Sequence, residues 1–456
     1  MTAPDQPRPA HRTGALFAAW LALLGTATGC VDDRDTTFRY DQGGDGGGDL
    51  GSGDAGVDLG MDSATYPTSY PDDRTLSPIT PHVAAHLREV VARGGSAEDV
   101  FIKVGASATY SNAFLHCFAG SNVDLDGRSG LQPTLDHFLG GDIDGSSPFG
   151  RTSQATEVGR GAAWAIAGDP SPLDTEVMAA NPRYAVVMYG TNDIEQTNVF
   201  NYANSVLDLT DQLLDEGIIP MWSSIMPRDD NPTSDLEVPA FNMAVRAVAQ
   251  ARQVPFIDLH RELLPLPAHG LGPDDLHPAA FGGGACVLTE EGLQFGYNVR
   301  NLLTLQTLDR ALRVVDGGAA PDPAGPRLVG DGSPDAPFVI PGLPFSHVAN
   351  TLFGAHDNID TYPGCSATQD ESGPELLYRL DLATPTTIRV LVFDRGMVDI
   401  DVHVLSGLTG ADCVARHHQD LSLSLDAGTH YLSLDTFVDA AGEHLGEYIV
   451  AVLEAP

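Results

Sequence analysis

Val100-Phe101-Ile102-Lys103-Val104-Gly105-Ala106-Ser107 and, further along, Tyr184-Ala185-Val186-Val187-Met188-Tyr189-Gly190-Thr191-Asn192-Asp193 share one design. Each is a short, nearly unbroken apolar run rich in β-branched residues that closes on glycine and small polar residues. A strand with one wet face alternates apolar and polar residues, so a continuous run marks a strand buried on both faces, as in a parallel sheet. Ile218-Ile219-Pro220-Met221-Trp222 and Val254-Pro255-Phe256-Ile257 read the same way. Between the runs the period changes to that of a helix. Val206, Leu209, Leu213 and Leu214 form a stripe ending before Gly217, and Phe241, Ala244, Val245 and Val248 form another. Strands alternating with amphipathic helices give an α/β layer fold on a parallel sheet. Ser107 and the Gly190–Asp193 turn then both fall at C-terminal strand ends, the rim where open α/β sheets hold ligands.

The chain around this core has 456 residues, a length that suggests about two to three domains. With 24 Lys+Arg against 62 Asp+Glu, the formal charge of −38 excludes a groove built to neutralise nucleic-acid phosphates. Partners are expected to be neutral or cationic. A hydrophobic share of 42% is enough for sizeable cores, while 49 Gly and 32 Pro predict long loops and linkers.

The N-terminus carries Arg8, His11 and Arg12 before an apolar run from Ala15 to Leu24, ending in Ala27-Thr28-Gly29-Cys30. That run is shorter than the roughly 18 residues a membrane-spanning helix needs, so it reads as an export signal. It resembles a bacterial lipoprotein signal, which implies cleavage after residue 29 and lipidation of Cys30, although Ala27 stands where Leu is commonest. Residues 30–75, including Gly43-Gly44-Asp45-Gly46-Gly47-Gly48-Asp49, are poor in apolar residues and are expected to form a disordered tether. The expected location is the cell envelope, by a lipid anchor only, or secreted. Removing Cys30 from five cysteines leaves Cys117, Cys286, Cys365 and Cys413 for an oxidising compartment. They fall two and two on either side of a Pro/Gly-rich break, so the expected pairs are Cys117–Cys286 and Cys365–Cys413, the alternative being free buried thiols.

The α/β region is expected over 76–316 and a linker over 317–335, beginning at Gly317-Gly318-Ala319-Ala320-Pro321. Over 336–456 the period becomes two, as in Leu376/Tyr378/Leu380/Leu382, Ile388/Val390/Val392 and Ile400/Val402/Val404, which predicts a small all-β sandwich.

Three blocks carry potential chemistry: Ser107 at a strand end, Gly190-Thr191-Asn192-Asp193 at a second, and Gly272-Pro273-Asp274-Asp275-Leu276-His277-Pro278. An acid three residues before a histidine can hold its imidazole, and Pro278 suits the first turn of a helix. Acyl transfer requires such a set: a hydroxyl, a base for its proton, an acid to fix the tautomer, and donors for the oxyanion. Taken singly, each block also has a plain structural use, Ser107 as a helix cap and Asn192 as a turn residue.

Gly105-x-Ser107, a glycine near Gly161, Gly190-x-Asn192-Asp193 and Asp274-x-x-His277 come in the order of the SGNH (GDSL-type) hydrolase blocks, and the chain resembles that family from about Val100 to Leu302. The resemblance implies a three-layer, flavodoxin-like fold and an esterase that uses no cofactor and no metal. Ser107 would be the nucleophile, His277 the general base and Asp274 its orienter. The oxyanion hole would comprise the N–H groups of Ser107 and Gly161 and the side-chain amide of Asn192. Gly159 competes with Gly161, and Asp275 with Asp274, the family spacing favouring Asp274. Ala106 stands where the family has Asp, which puts the hydrogen bonding of that loop in question. His116, His137 and His269 lack metal-ligand spacing. The Gly/Asp/Ser-rich segment 117–156 is expected to roof the site.

Gly373-Pro374-Glu375-Leu376-Leu377-Tyr378-Arg379-Leu380, Asp399-Ile400-Asp401-Val402 and Ala427-Gly428-Thr429-His430-Tyr431 resemble the bacterial pre-peptidase C-terminal domain. Such domains are linked to binding or to calcium, which would make Asp399 and Asp401 ligands, while alternate aspartates on an edge strand also simply face water. The expected activity is ester hydrolysis on a small-molecule or glycan ester, O-acetylated polysaccharide in particular. The alternative is a binding or adhesion lipoprotein on a degenerate hydrolase fold.

Overall fold

Burial on both faces produces four parallel strands: β1 (Ala97–Gly105), β2 (Pro182–Met188), β3 (Ile219–Ser223) and β4 (Phe256–Ile257), hydrogen-bonded in that order. The computed structural model describes residues 66–455. The signal at 1–29, Cys30 and the tether through residue 65 lie outside the described residues. A single parallel bridge between Gly105 and Thr156 adds a rudimentary strand on the far side of β1. Counted with it, the order is 2-1-3-4-5, the flavodoxin-like arrangement, and the reversal of direction at β1 lets helices cover both faces. β4 is shorter than the run Val254–Ile257 because Pro255 has no N–H to give a ladder, although its carbonyl accepts from Trp222 N at 2.9 Å.

The helices Val199–Asp215 and Val238–Ala251 bury the stripes seen in the sequence, and Gly296–Val315 closes the α/β part. No helix follows Pro278 directly; the next long one begins at Gly296, so the expected helix start there is a turn instead. Residues 66–75, assigned above to the tether, are packed rather than loose. Tyr70 is buried, its hydroxyl donating to Val254 O at 2.7 Å, while Thr68 N donates to Gln253 Oε1 at 2.7 Å. An aromatic ring supplies the buried area that the preceding Gly/Asp sequence lacks.

The segment 117–156 departs from the expected roof. Its helix Gln132–Gly140 packs along the body of the sheet, Phe138 meeting Phe101 and Tyr184 edge-on at 5.3 and 5.9 Å. Phe149 O accepts from the buried Lys103 Nζ at 3.0 Å. Cysteines pair as Cys117–Cys286 and Cys365–Cys413. The first bond ties the start of this segment to the loop that follows His277.

Beyond residue 337 the chain is all β, with strands β5 (Phe338–Ile340), β6 (Phe345–Asn350), β7 (Glu375–Leu382), β8 (Thr386–Asp394), β9 (Ile400–Leu405), β10 (Cys413–His417), β11 (Asp420–Leu425), β12 (Gly428–Thr436), β13 (Val438–Asp439), β14 (Gly442–Glu443) and β15 (Glu447–Glu454). A five-stranded sheet, β10-β9-β12-β7-β5, faces a four-stranded one, β11-β8-β15-β6, across a core of Tyr378, Val390, Val402, Leu432 and Val450. The four-stranded sheet is apolar on its other face too. Leu391, Phe393, Ile449, Ala451 and Leu453 belong to the same buried cluster as the α/β sheet. Ion pairs rim this contact: Arg252 with Asp211 at 2.6 Å and Glu447 at 2.7 Å, and Arg395 with Asp208 at 2.9 Å and Asp211 at 2.8 Å. Among the described residues no helix is long and apolar enough to cross a membrane.

Candidate active site

Ser107 begins a four-residue helix directly after β1, which aims its side chain off the sheet's C-terminal rim. The turn needs Gly105, because a Cβ there would lie 2.4 Å from Thr109 Oγ1 and 2.7 Å from Met188 O. As the first helical residue, Ser107 has an N–H with no acceptor inside the helix. Ala106 is buried with the core and offers no side-chain cap. Order in this turn comes from Arg300 instead. Its guanidinium donates to Ala108 O and Thr109 Oγ1, both at 2.8 Å, and lies 3.7 Å from the centre of the Phe114 ring. Burial pushes the Arg300 pKa down to about 9.

His277 reaches Ser107 from the opposite side of the rim. Its Nε2 lies 2.8 Å from Ser107 Oγ, and its Nδ1 lies 2.7 Å from Asp274 Oδ2. Asp274 Oδ1 accepts from His277 N at 3.1 Å and, more weakly, from Leu276 N at 3.4 Å, so one carboxylate fixes both the loop and the ring. The His277 hydrogen bond, with these backbone donors, holds the Asp274 pKa below the ordinary carboxylate value. Asp275 adopts a positive φ of 55° and turns its backbone carbonyl to Asp230 N at 3.0 Å. Of the two aspartates, Asp274 is the one hydrogen-bonded to His277.

The Gly190–Asp193 turn grips the loop carrying Gly159 and Gly161. Asp193, nearly fully buried, accepts from Ala162 N at 2.8 Å and from Gly190 N at 2.9 Å. Desolvation raises its pKa against the pull of these donors. Asn192 Nδ2 donates to Arg160 O at 3.0 Å, which uses one of its two amide hydrogens, and Gln196 Nε2 donates to Gly159 O at 2.9 Å. The two candidate glycines differ sharply. A Cβ at Gly161 would lie 2.6 Å from Asp193 Oδ1, whereas Gly159 has a φ of +79° and open space around it.

Arg228 was not singled out from the sequence. Only 3% exposed, it donates to Thr191 O at 2.7 Å and forms a two-pronged pair with Asp230 at 2.7 and 3.0 Å. Glu195 is its third partner, at 2.5 Å. Because Asp230 N also binds Asp275 O, the arginine braces the Asn192 turn against the His277 loop. Met226-Pro227-Arg228-Asp229-Asp230 follows β3 on the same rim, which was the available signal.

The other three histidines named from the sequence, His116, His137 and His269, have partners elsewhere than Ser107. Burial lowers the His116 pKa to about 4, His137 Nε2 is 3.0 Å from Glu98 O, and His269 Nδ1 is 2.8 Å from Asp229 Oδ2.

Residues 147–283 match the GDSL-like Lipase/Acylhydrolase family, a span that contains Gly161, Asn192, Asp274 and His277 and begins after Ser107. Similar solved structures include a GDSL-like lipase from Bacteroides thetaiotaomicron, 16% identical over 50% of this chain and 99% of that one, with a TM-score of 0.30. A two-domain esterase active on acetylated mannans is 12% identical over 81% of this chain and 96% of its own, with a TM-score of 0.32. The pre-peptidase C-terminal domain of a collagenase from Bacillus anthracis is 13% identical over 25% of this chain and 91% of its own, with a TM-score of 0.17. No curated protein matches the chain. The family match on this α/β fold defines the class: the chain is a carboxylic ester hydrolase. Within that class its likeness is to the GDSL-like acylhydrolases, over the matched span.

Proposed function

We propose that the chain is a serine esterase of the SGNH type, with Ser107 as nucleophile, His277 as general base and Asp274 as its orienter. The observation that carries this reading is the imidazole of His277 held between Ser107 Oγ and Asp274 Oδ2. Ser107 Oγ attacks the acyl carbonyl carbon while His277 Nε2 takes its proton. The tetrahedral oxyanion is held by the N–H groups of Ser107 and Gly161 and the remaining amide hydrogen of Asn192. As the C–O bond breaks, His277 returns the proton to the departing alcohol. Water then attacks the acyl-serine, His277 again acting as base, and the carboxylic acid leaves as Ser107 regains its proton.

The side chains of Asp274 and His277 are 52% and 35% exposed, so the reacting atoms sit at an open rim. That suits a short acyl group on a bulky alcohol better than a long chain needing an apolar groove. The charge of −38 opposes polyanionic substrates. We therefore favour O-acetylated polysaccharide, and a chain tethered to the cell envelope through lipidated Cys30.

The decisive measurement is p-nitrophenyl acetate hydrolysis by the wild type and Ser107→Ala, with labelling by a serine-reactive phosphonate. Loss of at least about 10³-fold in the variant, with labelling of wild type only, is expected. A folded wild type that neither turns over nor labels points to a binding protein instead. Release of acetate from acetylated glycans, compared with long-chain nitrophenyl esters, tests the substrate; cleavage of long chains alone rejects it. Detergent-phase partitioning of the full chain should be lost in Cys30→Ala.

A further inference from the structure

Far along the chain from Ser107, a second constellation lies at one edge of the five-stranded sheet. β9 and β10 pair antiparallel, with Val402 opposite His417. This register sets His418, in the turn leading to β11, beside Asp401 on β9 and Asp399 just before it. One ligand atom from each of the three lies within 4.8 Å of the others.

His418 Nδ1 is 3.0 Å from Asp399 Oδ1 and 3.3 Å from Asp401 Oδ1, ion-pair distances that push the His418 pKa up to about 10 in the empty site, although neither buried oxygen receives a well-directed hydrogen bond. The Asp401 side chain is only 4% exposed, and a buried carboxylate oxygen left without a donor is costly. Its other oxygen is not in that position: Oδ2 binds the Arg416 guanidinium, which also lies 3.3 Å from Glu371 Oε1. Arg416 therefore fixes the carboxylate from behind and leaves Oδ1 aimed at the same point as His418. The His418 and Asp399 side chains are 51% and 32% exposed, so two of the three residues reach the surface.

We propose that Asp399, Asp401 and His418 bind a divalent transition cation, Zn²⁺, with water completing the shell. Ligands about 2.1 Å from zinc stand about 3.4 Å apart at a tetrahedral angle and about 3.0 Å apart at a right angle. The two nitrogen–oxygen separations fall in that interval. An imidazole among the ligands selects zinc over the hard cations calcium and magnesium, which take oxygen. Arg416 acts as the partner that orients a ligating carboxylate. The ion would staple the turn after β10 to β9, and it takes no part in ester hydrolysis.

The test uses the full chain, stripped with EDTA and dialysed. Zn²⁺ is titrated by calorimetry, and Co²⁺ serves as a visible-absorption probe of the same ligands. One equivalent of each is expected, with cobalt bands of a low-coordinate site. Affinity should fall about tenfold or more in His418→Ala and in Asp399→Asn, two partly exposed positions at which folding is checked by unchanged p-nitrophenyl acetate hydrolysis. The proposal is overturned by the absence of stoichiometric zinc binding, by unaltered binding in His418→Ala, or by a site that takes calcium in preference to zinc.

Discussion

Gly161 and Gly159 sit two residues apart and answer to different constraints. At Gly161 a methyl group would strike the Asp193 carboxylate, pushing apart the loop and the turn that carries Asn192. Gly161→Ala should cut kcat by about 10²-fold or more, the scale of losing one oxyanion donor. Gly159→Ala meets no neighbour and pays only for its positive φ, so activity should stay within a few-fold while stability falls by about 1 kcal/mol. Equal loss from both substitutions would remove the distinction. Arg228→Ala should lower kcat with little change in KM, because the arginine orders two loops and stands behind the reacting atoms. Arg228→Lys should restore little, since one ammonium cannot replace the fork that grips Asp230 and Thr191 together. Ser107, Asn192 and His277 were legible because each follows a glycine-bearing turn at or near the sheet rim. Arg228 was not, because the partners that define it, Thr191 and the Asp230–Asp275 link, come from distant parts of the chain.

At the scale of elements, β1 carries a cation into the core. Lys103 is 2% exposed, and burial pushes its pKa down to about 7, well below that of an unfolded lysine. Between about pH 7 and 10 the unfolded chain therefore binds the extra proton, so the folded state gains stability as pH rises and loses it on descent toward 7. In Lys103→Met that rise should vanish, a difference on the order of 2 kcal/mol between pH 7 and 9.5 in urea titrations. The same slope in both proteins would place the charge elsewhere. Lys103 broke an otherwise apolar run without hiding it, which is why β1 could be read. The segment 117–156 misled for the opposite reason. Its Gly, Asp and Ser content signals loop, but Leu135 and Phe138 are sufficient to seat a helix on Phe101 and Tyr184. Likewise the alternation Ile388/Val390/Val392 covers only part of the run Val390-Leu391-Val392-Phe393. Its unbroken apolar core already implied burial on two faces, one of them outside the sandwich.

Across the whole molecule, that second face joins the two halves into one cluster. Phe393 packs at 6.0 Å from Phe200, and Gln250 Nε2 donates to Ser346 O at 2.7 Å. A shared core predicts a single calorimetric transition, and two separated transitions would show that the contact is weak. A chain ended at residue 316 should expose the apolar side of the helix Val238–Ala251 and aggregate, while Phe393→Ala in the full chain should cost about 3 kcal/mol. The Cys117–Cys286 bond acts over a comparable span, and its consequence concerns damage. The turn Asp126-Gly127-Arg128 is largely exposed, inside the stretch that this bond encloses. A trypsin-like cut after Arg128 would sever Ser107 from His277 along the backbone yet leave them on fragments joined through sulfur. The clipped enzyme would run as one band until reductant is added, and it would keep working as a two-piece molecule.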